Sequence, residues 1–312
     1  EPHARTLKSL KDRGLDVSSE RIESFSADLT LPDFDLDPNA LAGVNLVIHN
    51  AWSVNFKMGV SSFENHLQGT RNLIDFSAKS KARFFFVSSV SAAARSGNPI
   101  TESHLNHFTD AQQIGYARSK HVAERLCLHA SLAGLDARVL RVGQIVGDTR
   151  KGQWNETEAI PLMIRAAVSM GALPTLNDTL NWLPIDAVAQ VVTELCHDPE
   201  HRDVYHLVNP KSFNWGQDLL PMLRSAGLNF EEVSTQESLE RLATSDPDPE
   251  VNPTIKLLEF FRTKYASQKS GLAVKFETES TERVSPALRT VGAPDATLIR
   301  KMVDYWTQQC WK

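Results

Sequence analysis

The chain has 312 residues, 41% hydrophobic and 23% charged, an ordinary globular composition with enough length to bury a large core. Its formal net charge of −5 gives no electrostatic basis for binding nucleic acid or an anionic membrane surface. No apolar run reaches the roughly 18 residues of a transmembrane span, and the opening E-P-H-A-R carries no signal-peptide pattern.

In chain order, residues 5–14 close an amphipathic helix stopped by Gly14. Leu46, Val47 and Ile48 form a short apolar run ending in His49-Asn50. Phe84, Phe85, Phe86 and Val87 form a second run ending in Ser88-Ser89. Val139 to Val142 lead into Gly143, and residues 204–208 (V-Y-H-L-V) make a fourth run. Nearly continuous apolar runs of this length suit parallel strands buried on both faces. Between them, residues 66–80 and 115–133 carry helical apolar spacing. Strand alternating with helix predicts a doubly wound parallel α/β sheet. Ligands of such sheets bind at the carboxyl ends of the strands, where His49-Asn50, Ser88-Ser89 and Gly143-Gln144 fall.

Beyond residue 209 the pattern turns mostly helical. Helices are predicted from Asn214 through Leu223, over 255–265, and over 294–310 behind Pro294 and Asp295, with a proline- and acid-rich loop at 244–253. The expected division is a cofactor-binding domain over 1–147 and 183–208 and a smaller substrate lobe over 148–182 and 209–312. Trp52, Trp154, Trp182 and Trp215 read as core more readily than as an acyl channel. Phe56 and Met58 are weaker candidates for a pocket border. Cys127, Cys196 and Cys310 are too far apart for a zinc site, and an odd count suits a reduced, cytoplasmic protein.

The chemistry centres on Tyr116-Ala117-Arg118-Ser119-Lys120 at the start of a predicted helix. Four-residue spacing puts Tyr116 and Lys120 on one face, one turn apart. An ammonium beside a phenol is expected to lower the phenol's pKa, and the tuned phenol can protonate an oxygen gaining negative charge. Taken alone, a strand-terminating Ser89 reads as a backbone cap.

The ordered set of strand-end serines, Tyr116 and Lys120 resembles the extended short-chain dehydrogenase/reductase family. H-N-A-W-S-V-N-F at 49–56, F-F-F-V-S-S-V-S at 84–91, R-V-G-Q-I-V-G-D at 141–148 and N-W-L-P-I-D-A-V-A at 181–189 look more narrowly like thioester reductase domains. Such domains end nonribosomal peptide synthetases and polyketide–peptide hybrids, and the tail is most similar to the fungal members. The resemblance implies Ser89, Tyr116 and Lys120 as catalytic residues and NADP(H) as cofactor. It places Asp28 and Leu29 at the adenine, and Arg5 at the 2′-phosphate. His49, Asn50, Ala51, Ser88 and Lys120 would line the cofactor, and Gly143, Gln144 and Ile145 would flank the nicotinamide. Read without the resemblance, Asp28 serves equally as a turn cap and Arg5 as a solvated helix residue.

The implied reaction is reductive release of an acyl or peptidyl thioester from a phosphopantetheinylated carrier protein of the same synthetase, giving an aldehyde or, after a second round, an alcohol. Redox-independent Dieckmann cyclisation is the alternative on the same fold. A nucleotide-sugar epimerase or dehydratase and a cofactor-deficient carrier-docking module are the alternatives of other classes. Two departures stand out. His66 occupies the position where the family usually has Asn, and no G-x-x-G-x-x-G or G-x-G-x-x-G follows a strand. The sequence reads as starting within the second β–α unit, and the expectation is that the chain alone binds NADPH weakly or not at all.

Overall fold

The computed structural model describes residues 1–15, 20–200, 202–259, 261–262 and 274–311. After a first helix α1 (Pro2–Asp12), the apolar runs form β1 (Leu46–His49), β2 (Arg83–Ser89) and β3 (Ala137–Val142), with α2 (Glu64–Ser80) and α3 (Gly115–Leu132) between them. β1 pairs parallel with β2, setting His49 opposite Phe86, and β2 pairs parallel with β3, setting Ser89 opposite Val142. A later strand over Val204–Leu207 completes the sheet order β1-β2-β3-(204–207). This is the Rossmann-like α/β sheet expected from the alternation of strand and helix.

Burial explains the composition of the strands. Phe84, Phe85 and Phe86 are wholly buried, as are all six residues of β3 to within a few per cent. Phe84, Phe86 and Val139 pack with Ile74 of α2 and with Ala123, Cys127 and Ala130 of α3. Gly115, the first residue of α3, admits no side chain: a Cβ there would lie 2.2 Å from the Met58 carbonyl oxygen. The segment 58–60 can therefore lie directly over the helix start.

The described chain separates into two compact units. The first is Glu1–Val142, Asp198–His206 and Phe276–Ser280; the second is Gly143–His197, Leu207–Lys275 and Thr281–Lys312. These bounds differ from the division expected above. Residues 143–147 and the helix Ile185–His197 group with the second unit, because the two-residue strand Ile145–Val146 pairs with Leu183–Pro184 at the start of that helix. Phe276–Ser280 groups with the first, where Phe276 bridges Ile100 and the Ser280 amide donates to Glu102.

The second unit has its own core, in which Trp154, Trp182, Trp215 and Trp306 are buried with Leu173, Leu219 and Ile299. Trp215 Nε1 donates to the Pro174 carbonyl and Trp306 Nε1 to that of Trp154. The helix expected from Asn214 to Leu223 is a π-helical turn, Trp215–Leu219, capped by Asn214, followed by an α-helix over Leu220–Ser225. The prediction over 255–265 meets a 3-10 helix over Pro253–Leu257; residues 260 and 263–265 of it lie outside the described residues. The last helix begins at Ala296, with the Asp295 side chain accepting from the Leu298 amide, and passes at Trp306 into a π-helix ending at Cys310. Among the described residues, no helix is long and apolar enough to cross a membrane.

Candidate active site

Helix α3 is tied to three consecutive residues of β2 by three of its side chains, each one turn apart. Tyr116 hydrogen-bonds the Ser89 side chain. Lys120 Nζ donates to the Val87 carbonyl oxygen at 2.6 Å. Glu124 Oε1 accepts from Ser88 Oγ at 2.5 Å. Positions i, i+4 and i+8 of a helix share a face, so one helix face reads three successive strand residues.

Alternation along the strand sends the two serines opposite ways. Ser89 ends β2 in extended conformation and accepts hydrogen bonds from Ser91 N at 3.2 Å and Ser91 Oγ at 2.9 Å. A hydroxyl has one hydrogen to give, which leaves that of Ser89 for the Tyr116 oxygen. Ser88, expected at the cofactor, has its hydroxyl buried and committed to Glu124.

Tyr116 is half-buried, with the Phe56 ring edge-on at 5.3 Å and the Phe63 ring at 6.4 Å. Burial raises its pKa above 10, and the bond from Ser89 opposes that rise. The expectation that Lys120 would lower this pKa is therefore corrected: burial dominates, and the opposing group is Ser89. Lys120 is itself 3% exposed, and burial lowers its pKa to about 7, against the pull of Glu124 and Cys127. Its ammonium lies 4.3 Å from the centre of the Trp52 ring and 4.7 Å from that of Phe86.

Trp52 organises this side of the site. Its indole nitrogen donates to Ser119 Oγ at 3.3 Å, and its ring stacks on His66 at 5.1 Å. His66 in turn bonds Ser53 Oγ and the Ala51 backbone, and so pins the segment after β1 to α2. His49 is buried, donates from Nε2 to Thr70 Oγ1 and has a pKa of about 4, lowered first by burial and then by Lys120. Asn50 and Ala51 follow it as exposed residues at the carboxyl end of β1.

The remaining predicted positions make contacts of their own. The Asp28 carboxylate is exposed and accepts from the amide and hydroxyl of Thr30, a turn-capping arrangement. The Leu29 carbonyl accepts from Asn72 Nδ2, and a Cβ on Gly69 would lie 3.0 Å from the Leu29 Cβ. Arg5 is an exposed residue of α1. Gly143, Gln144 and Ile145 belong to the second unit, where the Gly143 amide donates to the Leu207 carbonyl. Sequence reasoning missed Glu124 altogether, although its place two turns after Tyr116 was visible.

A family model described as male sterility protein, an NAD-binding domain model, matches residues 2–192. A non-ribosomal peptide synthetase of Acremonium egyptiacum is 32% identical over 318 residues, covering 96% of this chain and 29% of that protein. A carboxylic acid reductase of Neurospora crassa is 30% identical over 328 residues, covering 97% of this chain and 31% of the reductase. The chain thus spans less than a third of the length of these curated relatives. Among solved structures, the terminal R domain from the myxalamid PKS-NRPS biosynthetic pathway superposes with a TM-score of 0.84 at 25% identity, covering 99% of this chain and 81% of that one.

Proposed function

The chain belongs to the male sterility family of NAD-binding domains, and from that premise we propose that it reduces a carrier-bound acyl or peptidyl thioester with NADPH, releasing an aldehyde. The observation that carries this reading is the hydrogen-bonded Ser91–Ser89–Tyr116 series at the carboxyl end of β2, with the Lys120 cation one helical turn from Tyr116.

The residues present fit the nicotinamide end of such a cofactor. Asn50 and Ala51 are exposed at the end of the neighbouring strand, and the Lys120 amine, a three-hydrogen donor, gives one hydrogen bond to the Val87 carbonyl. Asn50, Ala51 and Lys120 would hold the ribose and nicotinamide, Asp28 and Leu29 the adenine, and Arg5 the 2′-phosphate. NADPH bound there supplies the hydride.

The chain's own groups supply the proton and the field. A phenol whose pKa stands above 10 is fully protonated at neutral pH, the form needed to give a proton to the thioester oxygen as it turns anionic. The Ser89 hydroxyl is a rotor and can swing to the same oxygen when that becomes the better acceptor. Lys120, when charged, stabilises the negative charge passing through Tyr116. The hemithioacetal so formed expels the pantetheine thiol and leaves the aldehyde. Thioester, NADPH and one proton thereby become aldehyde, thiol and NADP+. The partner is a phosphopantetheinylated carrier protein of the same synthetase, and the three free cysteines fit a reducing cytoplasm.

The test supplies the protein with NADPH and a thioester-loaded carrier. Loss of NADPH absorbance matched by equimolar aldehyde supports the reading. A cyclised product without NADPH loss, or no release at all, overturns it.

A further inference from the structure

Behind the Tyr116 face of α3 lies a second set of polar groups that the reaction above does not use. Glu124 is 3% exposed and Arg141, on β3, is wholly buried. Arg141 grips the carboxylate with Nε at 3.1 Å from both oxygens and Nη2 at 2.8 Å from Oε2. Arg141 Nη1 donates to His206 Nε2 at 3.2 Å, and His206 Nδ1 donates to the Glu277 carbonyl at 2.7 Å. Ser88 completes the set through its bond to Glu124. Three strand or loop segments are thus tied to one helical carboxylate.

The placement of that carboxylate is specific. Tyr116, Lys120 and Glu124 meet Ser89, Val87 and Ser88 respectively, so the Glu124 tie shares both its strand and its helix face with the two ties of the active site. It is also the one of the three that carries a full ion pair. A β2 end free to slide or twist against α3 would separate Ser89 from Tyr116. A buried, doubly bonded ion pair next to them resists that motion, because breaking it strands a charge out of water.

We propose that Glu124 is a positioning residue for the Tyr116–Lys120 pair, fixing α3 against the end of β2 through Ser88 and Arg141 and serving as the counter-charge of Lys120. The proposal rests on the reductive reading of the site. Among the described residues, the titratable groups whose charge couples to Lys120 are His49 from β1, His66 from α2, and Glu124 and Cys127 on its own helix. Both histidines are held toward neutrality, and Glu124 raises the Lys120 pKa while burial lowers it to about 7. Taking away the carboxylate should therefore let Lys120 lose its proton at lower pH.

The experiment follows the Lys120 amine in the full chain by NMR of isotope-labelled lysine, the signal being assigned by its loss in Lys120→Met. Glu124→Gln should move the midpoint down by about one pH unit, and the alkaline limb of kcat for thioester reduction should move with it. Glu124→Asp keeps the charge but shortens the reach, and should leave the midpoint in place while lowering kcat at least tenfold. Should Glu124→Gln fail to fold, the double variant Glu124→Gln/Arg141→Met removes both buried charges together and is read the same way. An unmoved midpoint in a folded Gln variant, or full kcat in Glu124→Asp, overturns the proposal. A shifted midpoint in a chain whose wild type reduces no thioester sinks the reductive reading and leaves the Glu124–Lys120 coupling standing.

Discussion

Arg141 and Lys120 are both cations buried against the same sheet, and they are held in opposite ways. Arg141 has a carboxylate and a histidine nitrogen, with every contact a directed hydrogen bond to a side chain. Lys120 has one backbone carbonyl and the faces of Trp52 and Phe86. The first arrangement fixes the cation in place, since directed bonds to a carboxylate and an imidazole engage the guanidinium's fork of donors. The second leaves a charge that burial brings to the edge of titration near neutrality. Structure is built on the paired cation, and proton chemistry is available at the caged one.

Two large effects test that contrast. If the Lys120 side is the chemical side, Tyr116→Phe should cut thioester reduction by about 10² to 10⁴-fold while costing only about 1 kcal/mol of stability, because the ring stays and the hydroxyl with its bond from Ser89 is lost. Steady-state NADPH consumption beside a urea titration checks both halves. If the Arg141 side is structural, Arg141→Met should cost ~3–5 kcal/mol of stability by leaving Glu124 charged and buried without its partner. Equal stability of wild type and Arg141→Met in urea would break the contrast.

The sheet was legible because strands buried on both faces are nearly all apolar, as 84–87 are throughout and 139–142 are apart from Arg141. Tyr116 and Lys120 were legible because their spacing equals one helical turn. Their electrostatics were not: burial decides both pKa directions, and burial is a tertiary quantity. Glu124 escaped notice because a lone acid in a helix reads as a solvated residue, and its partner Arg141 is 17 residues away on another element. The partner of Ser88 was hidden in the same way, since the carboxylate that takes its hydroxyl is 36 residues further along the chain. The unit boundary was hidden for another reason. The strands Ile145–Val146 and Leu183–Pro184 are two residues each, too short for any period to register.

Each cation also has a buried histidine beside it, and both histidines are held neutral. His49 and His206 titrate at about 4 against an ordinary 6.5, burial being the larger cause and the nearby Lys120 or Arg141 the next. Between these values the unfolded chain binds protons that the folded chain refuses, so stability is full above 6.5 and falls as pH drops toward 4. Each site contributes about 3 kcal/mol at most to that loss. Urea midpoints measured downward from pH 7 should fall steadily for wild type and less steeply for His49→Asn. Parallel curves would remove His49 from the account.

The smallest effect separates the two cations most directly, because its sign is opposite to that of Arg141→Met. The Lys120 pKa is lowered on folding from 10.5 to about 7, so the unfolded chain binds the proton more tightly throughout that interval. The wild type is therefore penalised most where folding must bury the ammonium, at and below pH 7, and progressively less as pH rises toward 10.5. Lys120→Met has similar length and no charge to desolvate. It should abolish reduction yet match or exceed wild-type stability at pH 6, by on the order of 1 kcal/mol, with the gain shrinking toward pH 10. The ring contacts and the Val87 hydrogen bond work against that gain, which keeps it small. A loss of stability at pH 6 as large as that of Arg141→Met would mean that Lys120 is held as a structural cation too, and the distinction between the two sides would fall.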